Sequence, residues 1–206
     1  GRVPAGFNNL VGLKPTPGRV GTSGVVPACR SLDCVSIFAL TLDDAATVLS
    51  VMEGPDPADA FSHFEPGPGT WPAKLRVGVP LAPALDEAGY GDAWDESLRL
   101  LRALGHEVVP LDFDPLHAVA DLLYNGPWVA ERHAVVQELL DRQPEALDPT
   151  VRQVIESARG QTATDAFRGQ YRLREAQREL RSLWRKVDVL MVPTAPRHPR
   201  FAELDA

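Results

Sequence analysis

The spacing of apolar side chains predicts a strand–helix–strand unit in the middle of the chain. Residues 75–79 are typical of a strand, and residues 108–111 are typical of a second one. Between them, residues 92–104 carry apolar side chains at helical spacing, namely Trp94, Leu98, Leu101 and Leu104. Gly105 is the expected helix end. Because the links are short, we expect the two strands to be parallel neighbours.

Other segments extend this pattern into an α/β fold. A helix is predicted over residues 43–52, and residues 114–140 are helical in pattern but broken at Gly126-Pro127. A long helix is predicted from Thr162 or Thr164 to about residue 186, and residues 188–192 are typical of a buried strand. The predicted fold class is therefore α/β, a layered mixed sheet flanked by helices.

Glycine and proline divide the chain into three parts. Both are frequent in a head, residues 1–40, and in a connector, residues 54–91, whereas glycine is sparse in the α/β part, residues 92–206. The first two parts are therefore predicted to be rich in loops. The chain also opens with Gly1 and not with methionine.

Composition excludes several classes of function. The chain has 206 residues, 44% hydrophobic, with a net charge of −7, which is enough apolar side chain for a core. No apolar run is long enough to cross a bilayer, so no membrane partner is predicted. The chain has no basic run, so nucleic-acid binding is disfavoured. Cys29 and Cys34 lack the partners of a zinc site, and we expect structural thiols, no metal and no cofactor.

The head carries an ordered motif that identifies a family. Gly1-Arg2-Val3-Pro4-Ala5 is followed by Gly-Leu-Lys-Pro-Thr-Pro-Gly-Arg over residues 12–19. This arrangement resembles the amidase signature family. Residues 27–39 and residues 124–132, which read Tyr-Asn-Gly-Pro-Trp-Val-Ala-Glu-Arg, resemble the allophanate hydrolases within that family. The similarity runs along the whole chain, so the fold is expected to be amidase-like and incomplete at both ends.

The resemblance implies a mechanism and assigns roles to five residues. Amidases of this family use a lysine, a bridging serine and a nucleophilic serine, and the match places all three before the first residue of this chain. No catalytic residue is therefore expected here. The resemblance assigns substrate binding to Tyr124 and Arg132 and support of the pocket to Arg2, Arg30 and Asp33.

The function implied by the resemblance is hydrolysis of allophanate to ammonia and carbon dioxide. The chain would be the part of the amidase domain after the nucleophile, inactive by itself. Two alternatives stay open: an amidase acting on another small amide, and a non-catalytic remnant that binds a partner. The expected partner is a small amide substrate, with association into a homo-oligomer also considered. The expected location is the cytoplasm, and the excess of arginine over lysine indicates a bacterial gene.

Overall fold

The structure is a computed structural model that describes residues 2–67, 69–85, 89–123 and 125–203. The chain divides into two compact units. The first comprises Gly1–Ser23, Cys34–Asp112 and Trp184–Ala206. The second comprises Gly24–Asp33 and Phe113–Leu183, so it is built from two stretches that are distant in sequence.

A parallel three-stranded sheet organises the first unit. Strand β3 (Arg76–Pro80) lies in the centre, between β4 (Glu107–Leu111) and β5 (Val189–Leu190). Helix α3 (Tyr90–Ala103) connects β3 to β4. The predicted parallel strand–helix–strand unit is therefore confirmed, with boundaries shifted by one or two residues. β3 is buried along its middle, as expected for a central parallel strand covered on both faces.

The head of the chain is more regular than its glycine and proline content predicted. Helix α1 (Arg2–Phe7) and the antiparallel strands β1 (Val11–Leu13) and β2 (Ile37–Ala39) lie within it. Helix α2 (Leu42–Met52) follows β2 and confirms the predicted helix over residues 43–52. The parallel and antiparallel pairings form two separate sheets, and the α/β class is confirmed.

The second unit is helical in its described residues. Its helices are α4 (Asp114–Asp121), α5 (Trp128–Arg142), α6 (Pro149–Glu156) and α7 (Ala163–Leu180). The break between α4 and α5 falls at Gly126-Pro127, as predicted. The prediction that α7 continues to about residue 186 was wrong, because the helix ends at Leu180 and a short 3-10 turn follows.

Each unit has an apolar core of its own. The buried side chains of the first unit are Ala5, Val20, Ile37, Ala45, Val77, Val79, Leu111 and Val187. Those of the second unit are Cys29, Phe113, Trp128, Val129, Leu140, Ile155, Ala158 and Leu183. Full burial of one such aliphatic side chain contributes about 1.5–3 kcal/mol. The core of the second unit includes the first turn of α5, which carries the candidate site residues.

Candidate functional site

The start of α5 is fixed by packing on both sides of the helix break. Gly126 approaches the preceding turn so closely that a Cβ there would lie 2.7 Å from the Cα of Leu122. Trp128 and Val129 are buried, at 8% and 2% exposure. Gly169 of α7 packs directly against Pro127 and Trp128, with no room for a side chain. The first turn of α5 is thus held in a narrow range of positions, which is what a binding residue on this helix requires.

Glu131, in this first turn, binds the Gly24–Asp33 segment. Its Oε1 accepts a hydrogen bond from the backbone N–H of Ser31 at 2.6 Å. Its Oε2 accepts one from the Ser31 hydroxyl at 2.6 Å and one from the Cys29 thiol at 3.2 Å. Both carboxylate oxygens are therefore occupied by neutral donors from one short segment. Hydrogen bonds to an ionised acceptor are shorter and stronger than those between neutral groups.

Asp33 closes the turn that presents Cys29 and Ser31 to the helix. Its carboxylate accepts hydrogen bonds from the backbone N–H groups of Ala28, at 2.9 Å, and Cys29, at 3.0 Å. The backbone N–H of Asp33 in turn donates to the carbonyl of Cys29 at 2.8 Å. Asp33 thus stabilises the local fold of the segment.

The Cys29 thiol is protonated in this environment. Burial raises its pKa to about 12, and the hydrogen bond to Glu131 and the negative charges of Glu131 and Asp33 act in the same direction. The positive charge of Arg132 acts in the opposite direction. A thiol with such a pKa is a poor nucleophile near neutral pH, because the thiolate is the reactive form.

The structure places the predicted site residues in two groups. Arg30, Asp33 and Arg132 all belong to the second unit, where Arg30 is exposed and Arg132 is half-buried in the second turn of α5. Tyr124 lies outside the described residues. Arg2 belongs to the first unit, is exposed in α1, and forms no ion pair within the described part of the chain.

Sequence reasoning missed two polar groups next to Arg132. It assigned no role to Glu131, whereas the carboxylate binds Cys29 and Ser31. It also assigned no role to His133, whose Nε2 is buried and has no hydrogen-bond partner among the described residues. The sequence did contain a signal for the contact of Glu131 with Cys29 and Ser31. Residues 27–39, which include Cys29 and Ser31, and residues 124–132, which include Glu131, both resemble the allophanate hydrolases.

Clefts occur in both units. One cleft of the second unit measures about 310 Å³ and is lined by Pro127, Trp128, Ala130, Glu131, Ala166 and Gln170. One cleft of the first unit measures about 330 Å³, with Phe7, Trp94 and Met191 among its lining residues. Within residues 2–67, 69–85, 89–123 and 125–203, no three His, Cys, Asp or Glu side chains are grouped to hold a metal ion.

Comparison with known proteins shows the family to which this chain belongs. The family model described as Amidase matches residues 1–204, and the chain belongs to the amidase family. The chain is 42% identical over 211 residues to urea amidolyase of Saccharomyces cerevisiae and 40% identical over 213 residues to that of Lachancea kluyveri. It also superposes on the structure of Kluyveromyces lactis allophanate hydrolase with a TM-score of 0.94, at 39% identity.

These matches cover nearly all of this chain but only part of each relative. They span 99% and 100% of the chain against 11% and 12% of the two urea amidolyases. The allophanate hydrolase match spans all of the chain and 34% of the other protein. The chain is thus similar to one section of these longer enzymes. In the described residues, none of the helices combines the length and the apolar character that crossing a membrane demands.

Proposed function

We propose that this chain is the portion of an allophanate-hydrolysing amidase domain that binds the substrate. The proposal depends on one observation: packing fixes the start of α5, the helix that carries Arg132. The chain that contains this helix belongs to the amidase family. Support comes from the similarity to a solved allophanate hydrolase along the whole chain. A binding residue on a rigid helix loses little freedom when substrate arrives, which favours affinity.

Arg132 and Tyr124 suit a small anionic amide. Allophanate is a urea that bears a carboxylate. A guanidinium can donate two parallel hydrogen bonds to a carboxylate, and such charge-assisted pairs are strong and directional. A phenol hydroxyl, as on Tyr124, can donate a further hydrogen bond to a substrate oxygen. Arg2, Arg30 and Asp33 support the pocket in this proposal, Asp33 through the turn that it closes.

The reaction itself needs three groups that the resemblance places ahead of this chain. A neutral lysine accepts a proton through a bridging serine, and the nucleophilic serine attacks the terminal amide carbonyl of allophanate. Backbone N–H groups stabilise the oxyanion. The first ammonia leaves with the transferred proton, and water then hydrolyses the acyl-enzyme. The released N-carboxycarbamate breaks down to two molecules of carbon dioxide and a second ammonia. The 206-residue chain alone is expected to release no ammonia from allophanate, and turnover by it would contradict this placement of the nucleophile.

The test is steady-state kinetics of the complete protein that contains this chain. Ammonia release is measured with allophanate and with acetamide, for wild type and for Arg132→Ala. We expect Arg132→Ala to raise the KM for allophanate about ten- to a hundredfold, the effect of losing hydrogen bonds to a charged group. Arg142→Ala is the matched control, because Arg142 is exposed at the end of the same helix, 4.0 Å from Glu138.

Other outcomes separate the alternatives. An unchanged KM in Arg132→Ala would refute the role of Arg132. Preference for acetamide would favour an amidase for another small amide, an alternative supported by the 33% identity to an amidase of Pseudomonas putida. Absence of turnover on either amide would favour a non-catalytic remnant.

The setting of the enzyme is part of the same proposal. We place it in the cytoplasm, where reducing conditions keep thiols free, and both Cys29 and Cys34 are free thiols. Association of copies is expected to involve exposed apolar side chains such as Val51, and sedimentation velocity would detect it. The bacterial origin indicated by the excess of arginine over lysine stays a prediction.

A further inference from the structure

The contacts of Glu131 connect two parts of the chain that are far apart in sequence. Ser31 and Glu131 are separated by 100 residues, and the carboxylate joins them through two hydrogen bonds of 2.6 Å. The thiol of Cys29 adds a third at 3.2 Å. Because Asp33 holds the turn that contains Cys29, these three donors form a preorganised cradle for the carboxylate.

This cradle controls the rotation of α5. Successive residues of an α-helix are turned by about 100° around its axis, since one turn takes 3.6 residues. Holding Glu131 against the Gly24–Asp33 segment therefore fixes the direction in which the next side chain, that of Arg132, leaves the helix. Buried Trp128 and Val129 hold the helix in place along its length, and Glu131 ties this turn to the segment by three hydrogen bonds.

We propose that Glu131 is a positioning residue whose hydrogen bonds to Cys29 and Ser31 direct Arg132 towards the carboxylate of the substrate. This inference rests on the proposed function. A positioning role of Glu131 differs from a merely structural one in one respect: loss of its hydrogen bonds should weaken substrate binding even when the protein stays folded.

The first experiment tests the cradle without using activity. At pH 9 a thiol with a pKa of about 12 is ionised to only about 0.1%, so iodoacetamide should modify Cys29 slowly in the wild type. Glu131→Gln removes the negative charge and keeps the shape of the side chain. We expect it to lower the pKa of Cys29 and to speed its alkylation at least about tenfold, since lowering the pKa by one raises the thiolate fraction tenfold.

Peptide mass spectrometry of the complete protein measures alkylation at Cys29, with Cys34 as an internal reference. Glu138→Gln is the matched control, because Glu138 lies on the same helix with 89% of its side chain exposed. It should leave the alkylation of Cys29 unchanged. Equal alkylation rates at Cys29 in wild type and Glu131→Gln would refute the contact between the Glu131 carboxylate and the Cys29 thiol.

The second experiment tests positioning. Glu131→Ala should raise the KM for allophanate about tenfold and leave kcat within about twofold, with a smaller rise in Ser31→Ala, which retains the backbone donor. Glu138→Ala should change neither constant. If Glu131→Ala does not fold, Ser31→Ala and Glu131→Gln carry the same comparison.

Two results would overturn the inference in distinguishable ways. A normal KM in the Glu131 and Ser31 variants, together with a raised KM in Arg132→Ala, would refute positioning and retain the proposed function. A normal KM in Arg132→Ala as well would refute the proposed function, and the inference with it.

Discussion

Replacement of Gly169 by alanine tests the packing that holds the start of α5. A Cβ at this position would lie 3.0 Å from Cδ of Pro127 and 3.3 Å from Cζ3 of Trp128, and closer still to Cγ of Pro127. The proline ring is rigid and Trp128 is only 8% exposed, so neither group has an easy route away. The added methyl group must therefore push α7 and the beginning of α5 apart.

The sign of the effect depends on two opposing contributions. Alanine is favoured over glycine in a helix interior by about 0.8–1.0 kcal/mol. Inserting a methyl group into a close-packed contact costs typically about 1–3 kcal/mol. Because the contact with the rigid ring of Pro127 is so close, we expect a cost in the upper part of this range, which leaves a net loss of about 1–2 kcal/mol in unfolding free energy. Gly91→Ala is the matched control, because Gly91 lies in α3 and no atom of the described residues comes within 4 Å of its added Cβ. There the change should be neutral or slightly stabilising.

Hydrogen exchange of the complete protein, followed by mass spectrometry, provides a local assay. Peptides from α5 and α7 should exchange faster in Gly169→Ala, whereas peptides from α3 should be unaffected or slower in Gly91→Ala. The same Gly169→Ala variant should also raise the KM for allophanate, because Arg132 moves with α5. If Gly169→Ala were as stable as wild type, with unchanged exchange in α5, the close contact of α7 with Pro127 and Trp128 would be refuted.

Two further predictions concern the ends of elements. Thr162→Ala should destabilise α7 by about 1 kcal/mol, because the hydroxyl caps the helix, while Thr164→Ala, inside the helix, should cost less; urea unfolding compares them. The hydrogen bond from Arg76 holds the pKa of Asp188 below its ordinary value, so the folded state binds fewer protons than the unfolded state. The resulting stability should be complete above about pH 4 and should disappear as the pH falls through the lowered pKa. Asp188→Asn should therefore have a lower unfolding free energy than wild type at pH 7, and this difference should shrink in acid. Denaturation curves of the two proteins that converge at low pH would confirm this, and a difference that stays constant would contradict it.

Local chemistry explains the parts of the fold that were predictable. The break at Gly126-Pro127 follows from proline, which cannot continue a helix, and the start of α7 follows from the capping side chain of Thr162. The parallel pairing of β3 and β4 follows from the short links around α3. Each of these signals is contained within a few residues.

Contacts over long sequence distances explain what was missed. The helical pattern places Glu131 and Arg132 side by side, but it contains nothing about Ser31, which is 100 residues away. The early end of α7 at Leu180 also has no local signal, since charged residues of good helix propensity continue beyond it; the chain there turns to bury Leu183.

The ribosome synthesises the two stretches of the second unit, Gly24–Asp33 and Phe113–Leu183, at different times. Translation proceeds at about 5–20 residues per second, so Ser31 is made about 5–20 s before Glu131. During that interval Cys29 lacks both the carboxylate that accepts its hydrogen bond and the helix that buries it, so the causes that raise its pKa in the folded protein are absent. The nascent chain is therefore the stage at which Cys29 is open to oxidation or alkylation, and arrival of α5 ends that exposure.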